Sequence, residues 1–210
     1  MTMPSKIILS TLAVILFAGC TGFQKQPPVK QYFDLSVNLQ TSPENRQNPA
    51  ARRCQGESLL VKELFIAPAF DSHAFVYKVS ANRFQTDFYN EFITYPARLI
   101  TEQLSENLCR SPYFSSAGTQ TRRSIRYRLS GKITQLYGDL ESPDKPRAII
   151  EIRLLLEKRK EGEFSPFLTK TYRLESPIPS GRPEQLAQGW KKGLEQIIRD
   201  FLTDYQALVK

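Results

Sequence analysis

Three successive stretches carry apolar residues on every second position, and that period constrains the fold more than any other feature of the chain. Ile125, Tyr127, Leu129, Gly131, Ile133, Gln135 and Tyr137 form the first run, with Arg126, Arg128 and Lys132 on the opposite face. Ala148, Ile150, Ile152, Leu154 and Leu156 form the second, and Leu168, Lys170, Tyr172 and Leu174 return after the turn Lys160-Glu161-Gly162. A period of two puts alternate side chains on opposite faces of a strand, so these stretches predict antiparallel neighbours in one sheet. The pattern then changes. Pro183 opens a run in which Leu186, Trp190, Leu194, Ile197, Ile198, Phe201, Tyr205 and Leu208 recur at helical spacing, which predicts a long amphipathic helix.

The segments upstream add to the same plan. Tyr32–Leu39 alternates Phe33, Leu35, Val37 and Leu39 as a strand, and 40–56 reads as a loop. Ser58–Ile66, stopped by Pro68, reads as a covered strand, and Phe75–Ser80 with Arg83–Phe92 reads as a hairpin around Ala81 and Asn82. In its second arm, Phe84, Thr86, Phe88, Asn90 and Phe92 are expected to share a face. From Tyr95-Pro96 a first helix carries Ala97, Ile100, Leu104 and Leu108 until Ser111-Pro112 ends it. The expected fold is therefore α+β: a mostly antiparallel sheet with two helices packed on one face. Its other face is either wet or engaged by a partner.

The first residues decide the compartment. Lys6, the apolar run from Ile7 to Phe17 and the small residues Ala18 and Gly19 make a secretory signal, too short for the about 20 residues of a spanning helix. Leu16-Phe17-Ala18-Gly19-Cys20 resembles the bacterial lipobox, in which the cysteine takes a diacylglycerol and an N-acyl chain and becomes the mature N-terminus. Several acyl chains on one residue hold stably, since each buried methylene is worth about 0.8 kcal/mol. Thr21, in place of Asp, is the pattern that favours the outer membrane. The division is then 1–19 signal peptide, 20–31 lipidated cysteine and Pro-containing tether, and 32–210 a single domain.

A net charge of +8 would suggest nucleic acid in the cytosol, but the signal removes that partner. Anionic lipid head groups, lipopolysaccharide or an acidic protein remain, with Arg126, Arg128 and Lys132 as candidate contacts and homo-oligomer formation left open. With Cys20 lipidated, Cys54 and Cys109 are left as a pair in an oxidising compartment, either as one disulfide or as two free thiols. A disulfide closing 54–109 would stabilise the fold by about 4 kcal/mol in the chain-entropy model. His73 is the only histidine, which excludes a multi-histidine metal site, and no nucleophile elbow, CxxC or phosphate loop is present. No cofactor, metal or enzymatic activity is expected. The final helix reads as core, with Trp190 the one residue on it to consider as a partner contact.

Tyr32-Phe33-Asp34-Leu35, Leu59-Leu60-Val61, Phe75-Val76-Tyr77-Lys78 and the helix start Tyr95-Pro96 together resemble the ABC-type transport auxiliary lipoprotein family. The resemblance implies a non-enzymatic accessory of MCE-domain lipid transport systems, partnering an MCE protein and its ABC permease and ATPase to move phospholipid between membranes. A lipopolysaccharide-assembly lipoprotein and a lipoprotein activator of cell-wall synthesis enzymes are the alternatives.

Overall fold

The computed structural model describes residues 29–39, 56–116 and 125–209. In chain order the strands are β1 (Gln31–Phe33), β2 (Glu57–Val61), β3 (Phe65–Ile66), β4 (Ala74–Ser80) and β5 (Arg83–Phe92). After helix α1 (Pro96–Arg110) come β6 (Phe114–Ser116), β7 (Tyr127–Asp139), β8 (Arg147–Lys160) and β9 (Glu163–Pro177), and α2 (Pro183–Val209) closes the chain. The α+β plan expected from the alternating runs is the observed one, with both helices against the sheet.

The meander β7-β8-β9 is its frame. β8 pairs antiparallel with β7 from Tyr127↔Lys158 to Asp139↔Arg147, and with β9 from Lys160↔Glu163 to Arg147↔Pro177. Glu161 and Gly162 form the two-residue turn between β8 and β9, with φ of 50° and 94°. Positive φ at both central positions matches the right-handed strand twist, and glycine takes it without steric cost.

The second edge of β7 departs from the antiparallel expectation. β2, β3 and β4 line up along it one after another, all parallel to β7, at Leu59↔Tyr127, Phe65↔Lys132 and Tyr77↔Gly138. Alternation reports which face a residue occupies but not strand direction, and here α1 lies between these segments and β7 and supplies the crossover that parallel pairing requires. The pairing of β1 with β5 and of β2 with β6 is parallel too. Ser58–Ile66, expected as one strand, is broken at residues 62–64, where the Leu64 amide donates to Thr101 Oγ1 on α1 at 3.0 Å.

Tyr32–Leu39 is likewise shorter as a strand than its alternation suggests. Only Gln31–Phe33 pairs, yet Leu35, Val37 and Leu39 are all buried. The segment lies on α1, whose buried polar side chains replace a neighbouring strand: Gln103 Oε1 accepts the Val37 amide at 2.8 Å, and Asn107 Oδ1 accepts the Leu39 amide at 3.1 Å. Asn107 Nδ2 returns a hydrogen bond to the Val37 carbonyl. Buried backbone groups must find partners, and two amide side chains one helical turn apart provide them here.

α2 carries the other half of the core. Leu186, Trp190, Leu194, Ile197, Ile198, Phe201 and Tyr205 are all buried, whereas Leu208, at the end of the expected stripe, is exposed. The helix approaches β8 closely at Gly189, where a Cβ would lie 2.5 Å from the Ala148 Cβ.

Candidate interaction surfaces

The helices cover the face of β7-β8-β9 that carries Leu129, Ile133, Ile152, Leu154 and Tyr172. On the opposite face the basic residues of β7 behave differently from one another. Arg128 is neutralised by the residue across from it: its Nε and Nη2 donate to Glu157 at 2.6 and 2.7 Å, and its guanidinium lies 4.3 Å from the centre of the Phe164 ring. The bidentate hydrogen bonding from Arg128 holds the Glu157 carboxyl below the usual carboxylate range. Further along the sheet Arg173 bridges Glu151 and Glu175, and Arg147 bridges Asp139 and Glu175.

Between these pairs lies an unneutralised patch. Lys132 on β7 and Arg153 on β8 are directly opposite in register, both exposed, and neither has an ion-pair partner among the described residues. Arg126, just before β7, is exposed and unpaired in the same sense. Two like charges across a ladder repel, which makes the site a better receptor for an anion than a contributor to stability. Of the basic residues expected to form a contact surface, Arg126 and Lys132 are free to do so and Arg128 is occupied. Arg153, missed in the sequence because its own strand reads as core, completes the pair.

Trp190 is a correction. It is 0% exposed and cannot serve as a partner contact. Its indole Nε1 donates to the carbonyls of Ile149 at 3.1 Å and Tyr137 at 3.3 Å, and its rings meet Phe75 and Phe92 at centroid separations of 4.8 and 5.4 Å. The large side chain fills the junction between α2, the meander and the β4-β5 hairpin, with its single polar atom satisfied. Cys109, near the end of α1, is disulfide-bonded. Cys20 and Cys54, like the expected signal peptide and most of the tether, lie outside the described residues. His73 stacks edge-on against Tyr95 at 4.1 Å, and among the described residues no cluster of three His, Cys, Asp or Glu side chains is placed to hold a metal.

Two features were not anticipated. A cleft of about 390 Å³ opens between the ends of the helices, lined by Leu39, Tyr113 and Leu202 and by Arg110 and Arg199, each arginine already paired to a glutamate one turn away. The other lies in β5. Between Val76↔Thr86 and Ala74↔Glu91 the strand fits the four residues Asp87–Asn90 opposite the single residue Phe75. The bulge ends the shared face expected for Phe84 to Phe92: Phe84 packs on Phe70 and Tyr137, Phe92 is buried, and Phe88 is 69% exposed. Asp87 fixes it, accepting the amides of Tyr89 and Asn90 at 2.8 and 3.1 Å on Oδ1 and the Tyr77 hydroxyl at 2.6 Å on Oδ2. Burial works against charge on Asp87, but these hydrogen bonds outweigh it and hold its carboxyl below the usual range.

Against known proteins, the overall architecture is shared and the sequence is not. The chain is similar to protein XCC0632 from Xanthomonas campestris, a DUF330 protein, with a TM-score of 0.61 at 15% identity over 80% of this chain and 91% of that one. It is also similar to an uncharacterized protein of known crystal structure, with a TM-score of 0.58 at 16% identity over 82% of this chain and 99% of that one. No family model and no curated protein matches the sequence. Among the described residues no helix is long and apolar enough to cross a membrane.

Proposed function

We propose that the chain is a non-enzymatic lipoprotein, anchored to the outer membrane through acylated Cys20, that serves as an auxiliary component of an ABC/MCE-type system moving phospholipid between membranes. The observation that carries this reading is the lipobox-like Leu16–Cys20 joined by a short polar tether to an α+β domain. Such a chain is built to be held at a bilayer and to present a surface. The motifs around Phe33, Val61, Tyr77 and Tyr95 support the MCE-associated assignment by resemblance, and the unpaired Lys132–Arg153 patch supplies a receptor for an acidic partner surface. The fold shared with XCC0632 is compatible with this reading.

The assignment is tested by charge reversal in the full-length chain. Lys132→Glu combined with Arg153→Glu exchanges one exposed like-charge pair for another of opposite sign, so the fold is left no worse off and the variant still reaches the membrane. Its association with an MCE-domain protein, measured by cross-linking in intact cells, is expected to fall several-fold, because charges at an interface steer association. Unchanged cross-linking would remove this patch from the contact, and the absence of any MCE protein from the wild-type cross-links would remove the assignment.

A further inference from the structure

The Asp87–Asn90 bulge does not stand alone. Phe88 touches Tyr89 edge-on at 5.0 Å, and Lys30 Nζ lies 5.0 Å above the Phe88 ring while pairing with Glu91. Tyr32 is in register with Glu91, and the Ile93 amide donates to the Phe33 carbonyl. Val29, Tyr32, Phe88, Tyr89, Ile93 and Tyr95 therefore gather around the point where the chain enters the domain, each between 40% and 78% exposed. β5 meets β1 only at residues 90–92, so the edge from Arg83 to Tyr89 has no neighbouring strand among the described residues. A gathered apolar patch on a protein surface marks a binding site, and bulges at sheet edges re-aim side chains for such use.

We propose that this aromatic edge rests on the bilayer interface as a second, non-covalent membrane contact that sets the orientation of the domain. The proposal rests on Cys20 being the lipid anchor. The eight residues 21–28 separate that cysteine from Val29, and the nine steps from one to the other span at most about 30 Å even when fully extended. The tether thus delivers its bilayer to the edge where these exposed aromatics gather. Just before β1, Pro27 and Pro28 lack the amide protons that a ladder along β5 would use. Phenylalanine and tyrosine on a rigid, Asp87-braced bulge suit the zone between headgroups and acyl chains, where apolar rings are buried and hydroxyl groups stay wet. The Lys132–Arg153 patch, on another part of the sheet, remains available to a partner.

The test uses the lipidated full-length chain purified from membranes and reconstituted into phosphatidylethanolamine/phosphatidylglycerol vesicles, with and without bromine on the acyl chains next to the headgroup. Trp190, the only native tryptophan, is buried and gives the background. A Phe88→Trp variant adds a reporter on the bulge, and a Lys132→Trp variant adds one on the sheet face. Rings seated about 5–10 Å into the interface predict roughly twofold quenching of Phe88→Trp by brominated lipid, with the other two unaffected. Vesicles that float with the protein while Phe88→Trp stays unquenched overturn the docking and leave the anchor standing. A blue-shifted but unquenched reporter that responds to protein-to-lipid ratio assigns the edge to a second copy of the chain and also overturns it. Wild-type protein that fails to float with the vesicles overturns the anchor, and the docking with it.

Discussion

Trp190 shows how a single residue changes meaning between sequence and structure. On a helical wheel it lies in a stripe wide enough for either core or interface; in the fold its indole is enclosed by Phe75 and Phe92 with both carbonyl contacts made. Trp190→Ala should cost about 3–5 kcal/mol of stability, read as a lower denaturation midpoint in urea, because it leaves a cavity and removes the indole hydrogen bonds. As the sole tryptophan, it should also emit at short wavelength and resist acrylamide until the domain unfolds. Arg128 shows the same shift for charge. Its guanidinium belongs to Glu157, a residue contributed by another strand, and no inspection of β7 alone could assign that partner. Glu157 and Asp204 both have lowered carboxyl pKa values, through hydrogen bonds from Arg128 and from Lys170 respectively. Their contribution is present above the ordinary carboxylate range and is lost as the pH falls through the depressed folded values. Stability should therefore drop on acidification below about pH 4, and Glu157→Gln should flatten part of that slope.

At the scale of elements, α1 does more than bury a stripe. Gln103 and Asn107 hold the extended segment 34–39 against the helix, a role filled elsewhere by a neighbouring strand. Asn107→Leu should cost about 1–3 kcal/mol by leaving the Leu39 amide unpaired. Hydrogen exchange should then speed up at Val37 and Leu39 more than in the meander; uniform acceleration would contradict the local role. This is where sequence reading reached its limit. The alternation of Leu35, Val37 and Leu39 correctly marked buried positions, but burial against a strand and burial against a helix look identical in the pattern. The meander was legible because β7, β8 and β9 are long, adjacent in the chain and joined by turns with recognisable chemistry, as at Glu161-Gly162. The parallel strands on the far edge of β7 and the Asp87 bulge were not, since both depend on contacts between distant segments.

For the whole molecule, the proposed function divides between a leader that anchors and a domain that presents a surface. The lipobox resemblance of Leu16–Cys20 rests on a linear stretch of sequence alone, whereas the candidate contact surfaces emerge only when strands are placed side by side, as Lys132 and Arg153 are. Replacement of Cys20 by Ala should release a folded domain from the outer-membrane fraction, or leave it with its signal uncleaved; retention of a processed form there would contradict the anchor. Genes next to the one encoding this chain should specify a permease, an ATPase and an MCE-domain protein. The most direct measurement is affinity purification of the full-length chain from detergent-solubilised envelopes after cross-linking in intact cells. Co-purification of the MCE-domain protein with its permease and ATPase is expected; enrichment instead of cell-wall synthases or of a lipopolysaccharide-assembly barrel would contradict the proposed function.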